Sequence, residues 1–287
     1  INRNELYKLE VFFNTKSKLV SISKKLPKSK MFNNKYPYKS SMSKTMINSF
    51  KKLYNEIMKN FNPGLFLEIG SNDGALIKNF KKDNAICVEP CGNLAKITHK
   101  LGYSTYPNYW DNVLAKKIKK KFGTIDVVYA ANTITHIANL NNVFTSIFNI
   151  LSKDGILIIE DPSLLECFKK VSYDQFYNEH IYIFSALAVK NIVEQFNFEI
   201  FDIKNLNTHG GSLRYYIKSK NNKLYKIKKS VNNQIKKEIQ FGLSKNAIYK
   251  EFSKKVLNSK IKLIKILNEI KNKDKKIIGY GATAKAT

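Results

Sequence analysis

The sequence predicts an α/β protein built on a doubly wound, mostly parallel sheet. Three observations carry that expectation. Short apolar runs at 65–69, 85–88, 125–130 and 156–159 alternate with stretches of helical periodicity. The runs are apolar on both faces but for Glu68 and Asp126, as in strands covered on both sides. A glycine-bearing turn, 70–74, follows the first run where a strand hands over to a helix.

The elements follow in order. Residues 1–30 are lysine-rich and weakly patterned. Met46, Ile47, Phe50, Leu53, Tyr54 and Ile57 recur at helical spacing over 43–60, with Ser43 as N-cap, and Asn62-Pro63-Gly64 then breaks the chain. Helices are expected at 75–82, 93–101, 140–151 and 186–196. Strands at 198–203 and 213–217 follow so closely that they form an antiparallel pair at one sheet edge. From 231 to 272 the pattern is charged and helical, fitting a linker helix or an oligomer contact. No internal repeat is present. The chain opens without Met, and a strand at 277–278 runs into Gly279-Tyr280-Gly281-Ala282, the reading of a fragment that stops as a further domain begins. The expected division is a residual N-terminal module over 1–42, a central domain over 43–222, and a helical linker with the start of a C-terminal domain over 223–287.

Composition narrows the function. No apolar run reaches the length of a membrane span, and the start shows no signal-peptide pattern, so the default is a cytoplasmic protein with no membrane partner. Cys87, Cys91 and Cys167 make no disulfide framework and no complete metal-ligand set. The net charge of +28 raises nucleic acid as a partner. The cations are nearly all lysine, with arginine only at Arg3 and Arg214, and they are spread along the chain. Such lysines read as solvated faces rather than a nucleic-acid groove.

The sharpest local signal is Leu67-Glu68-Ile69-Gly70-Ser71-Asn72-Asp73-Gly74. Gly70 and Gly74 allow close backbone approach to a ligand at the carboxyl end of a strand. The spacing is not that of dinucleotide enzymes. Glu68 and Asp73 place negative charge where a pyrophosphate would sit, which suits the cationic sulfonium and ammonium of S-adenosylmethionine (SAM). The next strand ends in Val88-Glu89-Pro90, where Glu89 can accept hydrogen bonds from ribose hydroxyls. Asn132, past the strand at 125–130, is placed to hold cofactor backbone atoms. His136 is either a substrate residue or a helix-start residue with a local hydrogen bond.

Two clusters suggest substrate chemistry. Tyr173-Asp174-Gln175-Phe176-Tyr177-Asn178-Glu179-His180 gathers a phenol, a carboxylate and an imidazole within four residues of one another, Tyr177 to His180. Histidine is the natural base at neutral pH, and Glu179 can orient it or raise its basicity; the plain alternative is a polar loop that caps helices. Thr208-His209-Gly210-Gly211-Ser212-Leu213-Arg214 sets two glycines before a strand. Arg214 offers a planar fork for phosphate or carboxylate, or else an internal ion pair.

Together these motifs resemble the SAM-dependent sugar C-methyltransferases that act on nucleotide-linked 4-keto-deoxysugars. The resemblance runs through Tyr36-Pro37-Tyr38-Lys39-Ser40-Ser41-Met42-Ser43, the 67–74 turn, Val88-Glu89-Pro90, Ala131-Asn132 with His136, Tyr173 to His180, His209-Gly210-Gly211-Ser212-Leu213-Arg214, and Gly279-Tyr280-Gly281-Ala282-Thr283-Ala284-Lys285, all in family order. It implies a Rossmann-like SAM-methyltransferase sheet with a helical N-terminal segment and the start of a C-terminal Rossmann-like domain. It implies SAM held by Glu68, Gly70, Ser71, Asn72, Asp73, Gly74, Glu89 and Asn132. His180 becomes the base, Tyr177 and Glu179 stand beside it, and Tyr38, with Tyr36 second, reaches the sugar. His136, His209 and Arg214 are the remaining substrate-side candidates. The family's zinc module has paired cysteines that residues 1–30 lack, so zinc belongs only to a module outside this chain. The competing readings are an O- or N-methyltransferase, a non-enzymatic nucleic-acid-binding protein and a degenerate SAM-binding subunit.

Overall fold

The computed structural model describes residues 8–279. Two three-residue strands, β1 (Val11–Phe13) and β2 (Val20–Ile22), form a hairpin where the sequence shows only weak pattern. A single turn, α1 (Lys28–Met31), leads to α2 (Lys44–Asn60), whose N-cap is Ser43 as predicted: its hydroxyl accepts from Met46 N–H. The alternation that follows is β3 (Phe66–Ile69), β4 (Ala85–Val88), α3 (Gly92–Lys100), β5 (Ser104–Tyr106), α4 (Asn112–Phe122), β6 (Ile125–Ala131), α5 (Leu140–Ile150) and β7 (Leu151–Pro162). Then come α6 (Leu164–Lys170), β8 (Tyr182–Ile183), α7 (Ala186–Val193), β9 (Phe198–Leu206), β10 (Ser212–Ser219), α8 (Lys229–Phe241) and α9 (Asn246–Lys271).

Seven strands make one sheet in the order β5-β4-β3-β6-β7-β10-β9. The first five are parallel, and β10 runs antiparallel to both neighbours, which gives the expected antiparallel edge pair. Succession from β3 goes outward one way through β4 and β5, then jumps to β6 on the other side. This reversal opens a crevice past the carboxyl ends of β3 and β6, where open α/β sheets hold their ligands. Apolar side chains fill both faces: Leu67, Val128 and Ile159 on one, packed with α4, α5 and α7, and Phe66, Tyr129 and Ile158 on the other, packed with α2. Asp126 fixes the entry to the sheet, accepting from Gly64 and Leu65 N–H at 2.9 and 3.0 Å just past the Pro63 break.

Some expected elements differ. In place of a helix over 75–82 there is a turn and a 3-10 helix, Ile77–Asn79. Asn79 spends its side-chain amide on the Leu76 and Ala75 carbonyls, and Phe80 leaves the helical path to stack on Phe66 at 4.0 Å. The long pattern over 231–272 is two helices, because Gly242 takes φ +97° and ends α8. No helix among the described residues is long and apolar enough to cross a membrane. Of the final glycine motif only Gly279 falls within the described residues.

Candidate active site

A cavity of about 1080 Å³ opens at the crevice beyond β3, β4 and β6. One end is made by the turn after β3. Gly70 sits at φ +76°, and a Cβ there would collide with the Thr133 side chain, so the tight turn requires glycine. Gly74 at φ +82° is pressed against Thr98 in the same way. Glu68, Gly70, Ser71, Asn72 and Glu89 line this end. Asp73 and Gly74 shape the turn from behind without lining it; the Asp73 carboxylate accepts from Ser41 N–H at 3.2 Å and from its hydroxyl.

Glu89, at the end of β4, is buried. Its two oxygens accept from Asn72 and Cys91 N–H, each at 2.8 Å, and a carboxylate has lone pairs to spare beyond two such bonds. Burial pushes its carboxyl above the usual range, the two N–H donors oppose this, and the Asp73 charge adds to it. Glu68 is buried as well, and its Oε2 has no hydrogen-bond partner among the described residues. Burial raises the Glu68 carboxyl strongly, and the neighbouring Glu89 and Asp73 charges raise it further. An unpartnered buried carboxyl oxygen, a second carboxylate with free lone pairs and a glycine turn suit a ligand that brings positive charge and vicinal hydroxyls. SAM is such a ligand, and Glu68, Gly70, Ser71, Asn72 and Glu89, which line this end, could hold it.

The other end is built from the segment before β8. Burial is the main cause holding the Tyr177 phenol protonated, with Glu179 and Asp174 adding to it. His180, also buried, places Nδ1 2.9 Å from the Gln175 carbonyl oxygen and Nε2 2.9 Å from Tyr177 Oη. A carbonyl only accepts, so Nδ1 carries the hydrogen and the Nε2 lone pair accepts from the phenol. His136 repeats the arrangement: its Nδ1 donates to the Glu179 carbonyl at 2.7 Å, and burial lowers its pKa, so it is a neutral ring. The two imidazole centroids lie 5.1 Å apart. Burial raises the Glu179 carboxyl above its ordinary range.

Tyr36 and Tyr38 both line the cavity but face different groups. Burial raises the Tyr36 phenol, and the charges of Glu179, Tyr177, Cys91 and Glu89 add to it, so Tyr36 feels both ends of the cavity. The influences on Tyr38 after burial are Ser40 and Asp73, at the cofactor end. Asn132 takes φ +47° and brings Nδ2 to 3.4 Å from His209 Nε2 at the cavity edge. Arg214 is elsewhere. It projects from β10 beneath the sheet, Nε to Glu160 at 2.9 Å and Nη1 to Glu56 of α2 at 3.4 Å, and does not line the cavity. Its planar fork serves an internal ion group that ties α2 to the sheet, and the substrate-anchor reading gives way to that role. Sequence reasoning missed Thr133, Gln175 and Asn93. Thr133 and Gln175 act through packing or backbone atoms, which leave no motif.

A family model described as a methyltransferase domain matches residues 42–203, and one described as a C-methyltransferase C-terminal domain matches 207–287. A curated relative, the C-methyltransferase NovU of Streptomyces niveus, is 23% identical over 257 residues, 88% of this chain and 61% of that protein. The chain thus spans about three-fifths of that relative's length. Among solved structures, a magnesium protoporphyrin IX methyltransferase from Synechocystis PCC 6803 with bound SAM superposes with TM-score 0.43 at 12% identity, over 60% of this chain and 78% of that one. A SAM-dependent methyltransferase from Thermotoga maritima gives TM-score 0.43 at 18% identity, over 59% and 90%. The methyltransferase-domain match covers more than half of the chain, and the chain belongs to that family of SAM-dependent methyltransferases.

Proposed function

We propose that this chain transfers a methyl group from SAM to a carbon next to the ketone of a nucleotide-linked 4-keto-deoxysugar, with His180 as the base. The observation that carries this reading is the chain of contacts from the Gln175 carbonyl through His180 to Tyr177, opening into the same cavity as Glu89 and Gly70. Carbon methylation needs a carbanion, and a ketone makes the adjacent proton removable as an enolate. The Gln175 carbonyl holds the His180 proton on Nδ1, so Nε2 is the basic atom. When the ketone enters, Tyr177 turns its hydroxyl from Nε2 to the developing oxyanion, and the freed lone pair takes the carbon-bound proton. Tyr36 and neutral His136 flank the same place. Bound SAM supplies the electrophilic methyl group.

The test is turnover and exchange of solvent hydrogen next to the carbonyl, for His180→Ala and Tyr177→Phe. A positioned base contributes ~100- to 10,000-fold, so His180→Ala should lose about that much in both readouts while its affinity for S-adenosylhomocysteine (SAH) stays near wild type. Tyr177→Phe should lose less. Near-normal exchange in His180→Ala with none in Tyr177→Phe would transfer the base role to the tyrosine. Methyl transfer without exchange in any form of the protein would point to oxygen or nitrogen as the acceptor.

A further inference from the structure

The segment that carries Tyr36 and Tyr38 lies across the cofactor end of the cavity as a strap, and its fastenings all come from cofactor-side turns. Tyr109, just past β5, donates its hydroxyl to the Phe32 carbonyl at 2.8 Å. Asn93, at the start of α3, donates to the Tyr36 carbonyl at 2.9 Å. Asn72, in the glycine turn, donates Nδ2 to the Tyr38 carbonyl at 3.2 Å and accepts from Ser40 N–H on Oδ1 at 2.9 Å. The backbone N–H of the same Asn72 donates to Glu89 Oε2 at 2.8 Å. One residue therefore grips the acceptor proposed for the ribose through its backbone and the strap through its side chain. Both ends of its amide are used on the strap. Within the strap, Tyr36 lines the same cavity as Tyr177, Glu179 and His180; its ring lies 5.5 Å from that of Phe32, and Phe32 meets His136 edge-on with centroids 5.2 Å apart.

We infer that Asn72 is a positioning residue, which couples occupancy of the cofactor site to the placement of Tyr36 against the Tyr177–His180 pair. The inference rests on the proposed function for the role of Tyr36. A ligand that engages Glu89 holds the Asn72 backbone, and the Asn72 amide then holds the strap. By linkage, a seated strap favours the cofactor in return.

Asn72 occupies the left-handed region at φ +50°, which glycine adopts without strain. Asn72→Gly keeps the turn and the N–H to Glu89 and deletes only the two strap bonds. Two neutral hydrogen bonds at about 1 kcal/mol each correspond to roughly 30-fold. Asn72→Gly should therefore lower kcat/KM for a nucleotide-linked 4-keto-deoxysugar by roughly 10- to 30-fold, and by the same linkage should weaken SAH by no more than that factor. The loss should shrink strongly on a Tyr36→Phe background, since contacts that act through one another are not additive. Independently of turnover, SAH should protect the exposed strap lysines Lys35 and Lys39 from trypsin in the wild type and not in Asn72→Gly, read by mass spectrometry of the cut sites. Wild-type kinetics in Asn72→Gly, an equal loss with and without Tyr36, or SAH protection that survives the substitution would each overturn the coupling. If Tyr36→Phe alone turns over normally, the assignment of Tyr36 to the substrate fails, and the trypsin pattern still decides whether Asn72 links the cofactor to the strap.

Discussion

At the scale of single residues, the cofactor end is a problem in where to keep negative charge. Glu68, Asp73 and Glu89 crowd one turn, and burial lifts both glutamates above the usual carboxylate range. A group with a raised pKa holds its proton to higher pH, so the free protein carries protonated Glu89 at pH values where an exposed glutamate is ionised. Binding the cationic cofactor favours the ionised form, and a proton must leave. SAM affinity should therefore fall as pH drops through the raised Glu89 pKa, by up to about tenfold per pH unit, and level off above it. Calorimetry in buffers of different ionisation enthalpy should register proton release on the falling limb. Glu89→Gln should weaken SAM by roughly 10- to 100-fold and flatten the pH dependence. A pH slope that survives in Glu89→Gln would place the titrating group elsewhere.

At the scale of elements, the join between α7 and α8 shows how a distant side chain completes a helix cap: Ser185 accepts from Ala188 N–H at 3.1 Å and leaves the first two N–H groups of α7 to a partner. Glu238 of α8 is fully buried, and its two oxygens accept from Ala186 and Leu187 N–H, each at 2.9 Å, at the first turn of α7. Gln234 donates to the same carboxylate at 3.0 Å. A carboxylate at a helix N-terminus meets unpaired N–H groups and the positive end of the dipole. Glu238→Ala leaves two buried donors without acceptors and should cost about 2–5 kcal/mol, seen as a lower midpoint in urea unfolding. Glu238→Gln should recover part of that, since one amide oxygen still accepts. Equal midpoints for all three proteins would remove the cap from the argument. This cap is also a case of what sequence pattern cannot supply. The helical period across 231–272 was plain, but Gly242 as a stop and Glu238 as a partner of α7 depend on tertiary placement. The core strands were legible because parallel strands buried on both faces are almost wholly apolar, with Glu68 in β3 and Asp126 in β6 as the exceptions. The strands β1, β2 and β5 were not, because three residues carry no period. α4 was hidden by its lysines, which are the solvated face of a helix that buries Leu114, Ala115 and Ile118. At the site, Gly70, Glu89, Tyr177 and His180 stood out by residue type and spacing. The 36–43 stretch entered through the family resemblance, but its fastening as a strap was not legible, because its bonds use backbone carbonyls of Phe32, Tyr36 and Tyr38, and any sequence has those.

At the scale of the whole molecule, the surface and the cavity carry opposite signs. Lysine and arginine number 50 against 22 aspartates and glutamates, a net charge of +28. Among the described residues that line the cavity, Lys28 is the single lysine or arginine, while Glu68, Glu89, Asp174 and Glu179 all contribute to its wall. The long-range field attracts anions and repels cations, whereas the buried carboxylates act over a few ångströms where salt screens little. The two ligands of the proposed reaction should then respond to salt in opposite directions. An anionic nucleotide sugar gains encounter rate from the surface field, and that gain is lost as the Debye length shrinks from about 14 Å near 0.05 M to about 4 Å near 0.5 M. The cationic cofactor is slowed by the same field and held by the local carboxylates, so screening removes a penalty and leaves its binding intact. Over that range kcat/KM for the sugar nucleotide should fall several-fold, and the KM for SAM should stay level or decrease. Steady-state kinetics with each substrate varied at saturating levels of the other, in sodium chloride, separate the two. Sugar-nucleotide kinetics indifferent to salt would show that the lysine surface plays no part in capture, and a SAM constant that rises with salt would show that its binding draws on exposed charge rather than on Glu68 and Glu89.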